Sequence, residues 1–200
     1  MIFQRFLKRQ IDFWGALFLL ILLAVPFLVI SIFITLDSKG PVFYVRDRVG
    51  KDGKVFRMIK FRTMDENAEQ MGRGIELEKD DSRITKIGKW LRRCRIDESP
   101  QLLHVLTGTM SLVGPRPGLP HQVMQYTELE RKRLVFKPGM ASMDMIKGGN
   151  ILSWKERIQW DIWYIDHWSL WLDLRIIFGT FFFILSGKDE YGKGIVEDYK

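Results

Sequence analysis

No charged residue occurs between Phe13 and Leu36, and that uncharged run limits the architecture more than any other feature of the chain. Its 24 residues, at about 1.5 Å each, make roughly 36 Å of helix, enough for a hydrocarbon core about 30 Å thick. No small-residue cleavage site follows a short apolar region, so the segment reads as an anchor and not as a removed signal peptide. Pro26 lies inside it, and a proline in a helix interior costs about 3 kcal/mol. Against that stand 17 Leu, Ile, Val and Phe residues, which at about 0.3 to 0.6 kcal/mol each favour insertion by about 5 to 10 kcal/mol. Insertion wins, and Pro26 becomes a kink or a reversal point. Arg5, Lys8 and Arg9 precede the run; Lys39, Arg46, Arg48, Lys51 and Lys54 follow it. Positive charge favours the cytoplasmic side for each flank. A spanning helix must send one flank outside, whereas a hairpin bent at Pro26 sends neither, and the flanks alone leave both open.

The chain has 200 residues, room for one domain beside the membrane element. Charged residues at 28% and apolar residues at 46% exclude both a disordered chain and a polytopic membrane protein. A net charge of +7 calls for an anionic partner: lipid headgroups, a phosphorylated substrate or nucleic acid. The single Cys94 excludes an internal disulfide and fits a reducing compartment.

Residues 42–45 and 55–61 read as two strands of a hairpin, joined through Gly50 and Asp52-Gly53. Residues 65–82 are polar and Gly-containing and read as a surface excursion or a short helix. Ile84, Ile87, Trp90 and Leu91 then recur at helical spacing among Lys86, Lys89, Arg92 and Arg93, giving a basic amphipathic helix. Ser99 as N-cap and Pro100 as first residue predict a helix to about Leu106, stopped by Gly108. Another helix is expected over residues 120–134, and Lys137-Pro138-Gly139 as a turn. Ser153 with Glu156 forms a capping box that opens a helix to about His167. Five of the seven tryptophans (Trp154, Trp160, Trp163, Trp168, Trp171) lie in the last third, followed by an apolar run, residues 176–185, too short to span. Helices lying in the membrane interface are the expectation there.

Asp97 and Glu98 stand side by side just before the Ser99-Pro100 helix start. An acidic pair in a first turn can simply cap a helix. It can equally supply a nucleophile for phosphorus, or hold Mg²⁺ together with substrate phosphates. Arg116 is fixed between Pro115 and Pro117, and a guanidinium recognises phosphate bidentately. Lys60 and Arg62, two apart at a strand end, share a face. Asp161 falls within the apolar arc of Trp154, Ile158, Ile162 and Ile165, so it is expected buried, either in a salt bridge or as a further metal or phosphate-site carboxylate. His104, His121 and His167 organise no site. No P-loop, GxGxxG fingerprint or nucleic-acid-binding motif is present, and nucleic acid is not an expected partner.

Taken together, these residues resemble the bacterial sugar transferases, the monotopic phosphoglycosyl transferases. The matching pieces are Lys60-Phe61-Arg62-Thr63-Met64, Leu91-Arg92-Arg93 before Asp97-Glu98, Pro100-Gln101-Leu102, and Val105 to Gly108. Met110 to Pro117, Lys137-Pro138-Gly139, Asp161 to Tyr164, Ser169 and Asp173-Leu174 continue the match over nearly the whole chain. The resemblance implies an α/β (α+β) single catalytic domain, residues 39–200, with interfacial helices. Ahead of it, residues 1–38 would form a re-entrant helix-break-helix turning near Pro26. It implies transfer of a sugar-1-phosphate from a nucleotide diphosphate sugar, usually UDP-linked, to polyprenol (undecaprenyl) phosphate. Asp97 would be the nucleophile that forms a covalent phosphosugar intermediate, and Glu98 would assist through Mg²⁺ or proton handling. Lys60, Arg62, Arg92 and Arg116 would clamp phosphate, and Asp97, Glu98 and Asp161 are the metal-ligand candidates. The expected location is the bacterial inner membrane, catalytic domain toward the cytoplasm and in contact with its lipids; a homo-oligomer is compatible. A catalytically silent membrane-surface adaptor is the alternative.

Three departures from the family pattern stand out. Met140 to Ile146 replaces the usual Ile-Thr-Gly and following Gln, Gly148-Gly149 replaces Gly-Arg, and Cys94-Arg95 replaces Thr-Ser. The first two bear on substrate recognition more than on chemistry at Asp97.

Overall fold

A computed structural model describes residues 2–66, 68 and 81–185. Most of the expected polar excursion at 65–82 lies outside the described residues.

The apolar run forms helix α1, Ile2–Asp37, which extends a further three turns toward the start of the chain. Phe18, Ile21, Leu22, Val25, Leu28, Ile32 and Leu36 are exposed on it, an apolar surface suited to lipid and not to water. The opposite stripe packs on the rest of the chain. Ala16 meets Leu102, Val105 and Met110; Ile30 and Ile34 meet Phe61 and Leu91. No unwound segment divides α1 into two helices: it stays helical through Pro26. A proline deletes one N–H from the ladder, and the bonds on either side suffice to keep the segment helical, the only economical state for backbone in lipid.

Both ends of α1 are tied to the same body. Lys8 Nζ donates to the Val113 carbonyl (2.9 Å) and to Asp173 (2.6 Å). Arg9 caps the carbonyls of Val105 and Leu106 at a helix end. Asp12 accepts from Leu112 N and Ser111 Oγ. At the far end Asp37 accepts from Ile87 N (2.8 Å), satisfying a donor at the start of another helix.

The expected hairpin is present as β1 (Phe43–Val49) and β2 (Val55–Phe61), antiparallel, with Tyr44 opposite Lys60, Arg46 opposite Met58 and Arg48 opposite Phe56. One face carries Phe61 into the core, stacked on Phe43; the other presents Tyr44, Arg46, Arg48 and Lys60. The basic helix is α2, Lys86–Arg93, capped by Thr85. Helix α3, Leu102–Thr107, ends at Gly108 with φ of 87°, as expected. Strand β3 (Ser111–Val113) pairs in parallel with β4 (Gly139–Ala141), a pair too short to announce itself by periodicity. A Cβ on Gly139 would stand 2.0 Å from Gly114 N, so the Gly-Pro-Arg-Pro loop and the Lys-Pro-Gly turn interlock through two bare backbones.

The helix expected over 120–134 is divided into α4 (Pro120–Met124), α5 (Glu128–Arg131) and a 3₁₀ turn, Lys132–Val135. The cause is a second capping box, Thr127 with Glu130, which starts a new helix and drops Tyr126 into the core. After α6 (Met143–Lys147), helix α7 (Trp154–Asp166) begins at the Ser153–Glu156 box, as expected. Helix α8 is Leu170–Leu185, with Phe178, Phe181 and Phe182 exposed. The tryptophans divide: Trp154 is buried in the core with Val49, Val123 and Ile158, whereas Trp163 and Trp171 are exposed.

Candidate active site

Between α2 and α3 the chain turns sharply. Arg95 takes a left-handed conformation, φ 55°, unfavourable for a residue with a side chain. That reversal starts a 3₁₀ turn, Ile96–Gln101, and Asp97 and Glu98 sit inside it, not ahead of the helix as expected. Ser99 does not cap; its hydroxyl donates back to the Ile96 carbonyl.

Asp97 is 7% exposed. Burial and the adjacent Glu98 push its carboxyl up to about 6, with Lys60, Arg92 and Arg95 pulling the other way. Glu98 goes in the opposite direction. Burial disfavours its charge, but Arg116, Arg95 and Lys60 outweigh that and hold it below the usual carboxylate range. Two neighbouring carboxylates thus have separated affinities for the proton, the pattern expected when each has its own task.

Lys60 comes from β2, its ammonium 5.2 Å from the centre of the Tyr44 ring. Arg92, on α2, donates from Nε to Thr63 Oγ1 (2.8 Å). Arg116 reaches Glu98 at 3.4 Å, long for a hydrogen bond and better described as a charge contact. Three of the four expected phosphate-binding cations therefore surround the acidic pair. Arg62 does not. It is buried and donates to Ser38, Lys39, Gly40 and Pro41, fastening the segment after α1. Strand β2 ends at Phe61, so the two-residue alternation that pairs Arg62 with Lys60 no longer applies.

Asp161 is fully buried and paired with Arg133. The salt-bridge expectation holds, through Asp161 Oδ2. Burial raises Asp161 to about 7 even with Arg133 opposing. Arg133 also donates to the Arg116 carbonyl (2.7 Å) and to Tyr126 Oη (2.7 Å), and lies over the Trp154 and Tyr126 rings. Arg133, Arg48 and Arg95 are site residues that sequence reasoning missed. Continuing the strand alternation from Tyr44 through Arg46 would have found Arg48.

Among the described residues no cluster of three or more His, Cys, Asp or Glu side chains could hold a metal by itself. Two carboxylates are nonetheless a suitable donor set for Mg²⁺, which takes one or two from a protein and the rest from phosphates and water.

The sequence matches the bacterial sugar transferase family over residues 3–187. It is 42% identical over 171 residues to the uncharacterized sugar transferase EpsL of Bacillus subtilis, spanning 86% of this chain and 83% of that one. It is 39% identical to the UDP-glucose:undecaprenyl-phosphate glucose-1-phosphate transferase of Klebsiella pneumoniae, over 92% of this chain but 41% of the relative. The undecaprenyl-phosphate galactose phosphotransferase of Salmonella typhimurium is 35% identical over 94% of this chain and 42% of its own length. The chain thus spans less than half of these two longer relatives. The match from α1 through α8 takes in the acidic pair and the cations around it, and on it the chain belongs to the bacterial sugar transferase family.

Proposed function

We propose that the chain transfers a sugar-1-phosphate from a UDP-sugar to undecaprenyl phosphate, through a covalent intermediate on Asp97, releasing UMP. The observation that carries this reading is Asp97 itself: a buried carboxylate with a raised pKa, facing Lys60, Arg92 and Arg95. Two acids stand among five cations, counting Arg48 and Arg116 with these three, an excess that suits a diphosphate.

In the first half-reaction an Asp97 carboxylate oxygen attacks the β-phosphorus. The bond from that phosphorus to the bridging oxygen breaks, its electron pair leaving on UMP. In the second, a phosphate oxygen of undecaprenyl phosphate attacks the same phosphorus and Asp97 departs as carboxylate. Lys60 and Arg92 neutralise charge on the transferred phosphoryl group, and Arg116 keeps Glu98 ionised. Mg²⁺, held by Glu98 and Asp97 with the substrate, would neutralise charge on the diphosphate.

Helix α1 enters the inner membrane, bends at Pro26 without unwinding and returns, leaving the catalytic domain on the cytoplasmic face. The support is that Asp12 and Asp37, on opposite flanks of the apolar run, are bonded to one domain. A helix crossing the bilayer would have to hold that domain on both sides.

The test is UMP release from a panel of UDP-sugars, with undecaprenyl phosphate in nanodiscs and Mg²⁺. Release by wild type and not by Asp97→Ala supports the reading and names the sugar. Silence from both on every sugar would favour the membrane-surface adaptor.

A further inference from the structure

The hairpin face turned toward the acidic turn carries a row of cations with a direction. Asp97 is the charge that bears most on Lys60. Arg46 and Arg48 follow on β1 at alternate positions, opposite Met58 and Phe56. Steps of two residues are about 7 Å along a strand, so the row leads away from Asp97. Arg48 ends it. The charges that bear on it most are Arg116, Arg46 and then Glu98; Asp97 is not among them.

Among the described residues Arg48 forms no ion pair, and Glu98, the carboxylate that acts on it, is shared with Arg116. Its Nε is buried without a hydrogen-bond partner among them. An Nη reaches the Pro117 carbonyl only at 3.4 Å. Burial and the neighbouring Arg116 and Arg46 lower its pKa to about 10, an unusual position for a guanidinium. Like charges gathered around an unsatisfied donor edge suit a further anion.

We infer that Arg48 binds the phosphate that departs with the nucleotide, so that the donor lies along the hairpin with its sugar-phosphate at Lys60 and its nucleoside phosphate at Arg48. This rests on the reading of the chain as a nucleotide-sugar transferase. In-line displacement puts the leaving oxygen on the side of phosphorus away from Asp97, and Arg48 is the cation of the row farthest along the strand from Lys60. When the phosphorus–oxygen bond breaks, the electron pair and a full extra charge appear on the departing phosphate, where a preplaced guanidinium is worth most. The acceptor's phosphate, attacking after UMP has gone, has no need of it.

The test is UMP binding by calorimetry to the whole chain in nanodiscs, which requires no knowledge of the sugar, alongside kcat/KM for undecaprenyl phosphate once a donor is found. Arg48→Gln is expected to weaken UMP about 10- to 100-fold, the range for a charged hydrogen-bonding partner, with kcat/KM for the acceptor unchanged. Arg48→Lys keeps charge but loses the two-pronged geometry, and should weaken UMP several-fold; it serves alone if Arg48→Gln does not fold. Unaltered UMP affinity in these variants overturns the inference, and so does a lowered acceptor kcat/KM with UMP unaffected, which would move Arg48 to the lipid phosphate. Failure of wild type to bind UMP would overturn the donor reading instead.

Discussion

Arg133 and Arg116 are joined by a 2.7 Å hydrogen bond from a guanidinium nitrogen of the first to the carbonyl oxygen of the second. The same guanidinium pairs with Asp161 and bonds Tyr126. A cation that touches neither acidic residue thus fixes the loop whose side chain reaches Glu98. Arg133→Met strands Asp161 in the core and should destabilise the fold by about 3 to 5 kcal/mol. The loss depends on pH. With Asp161 already raised to about 7, removing its partner raises it further. A carboxyl whose folded pKa exceeds its unfolded value favours the fold at low pH and loses that contribution as pH rises. Thermal unfolding should therefore show a smaller deficit at pH 5 than at pH 8.

Catalysis should carry the signature of Asp97. The nucleophile must be ionised, and its carboxyl stands at about 6. The rate constant kcat/KM should fall about tenfold per unit below that value and level off above pH 7. Lys60→Met removes a cation that lowers the Asp97 pKa, so the acid limb should move to higher pH. Glu98→Gln removes a charge that raises it, so the limb should move to lower pH. A limb that stays in place in both variants would assign it to another group.

Arg62 should behave as a structural residue. Its guanidinium serves the backbone of Ser38 to Pro41, so Arg62→Gln should cost about 2 to 4 kcal/mol in stability through lost and unsatisfied hydrogen bonds. UMP affinity of the folded variant should match wild type; a tenfold loss would restore Arg62 to the phosphate site.

Topology can be read by cysteine labelling in a Cys94→Ser background. Gln4→Cys and Lys54→Cys, on opposite flanks of the apolar run, should both be labelled only from the cytoplasmic side. Labelling of Gln4→Cys from outside alone would make α1 a crossing helix.

What could be read from sequence was what local chemistry determines. The apolar run, the hairpin, the stop at Gly108 and the Ser153–Glu156 box each depend on neighbours a few residues away, and each is where it was expected. Thr127 and Glu130 carried the same capping signal and were overlooked, which merged two helices into one. The parallel strands β3 and β4 are three residues each and lie 28 apart, so no period betrays them. Arg116 was legible from its two flanking prolines and Lys60 from its place at a strand end, whereas Arg92 came with the family resemblance. Arg62 was misplaced because its role depends on where β2 ends, and Arg133 was missed because its partners come from three other parts of the chain.

The central claim is a covalent step on Asp97, and the most direct measurement is exchange of labelled UMP into the UDP-sugar without undecaprenyl phosphate. An aspartyl intermediate predicts that wild type exchanges label with no acceptor present and that Asp97→Asn does not. Exchange that requires the acceptor, or that survives in Asp97→Asn, would contradict it.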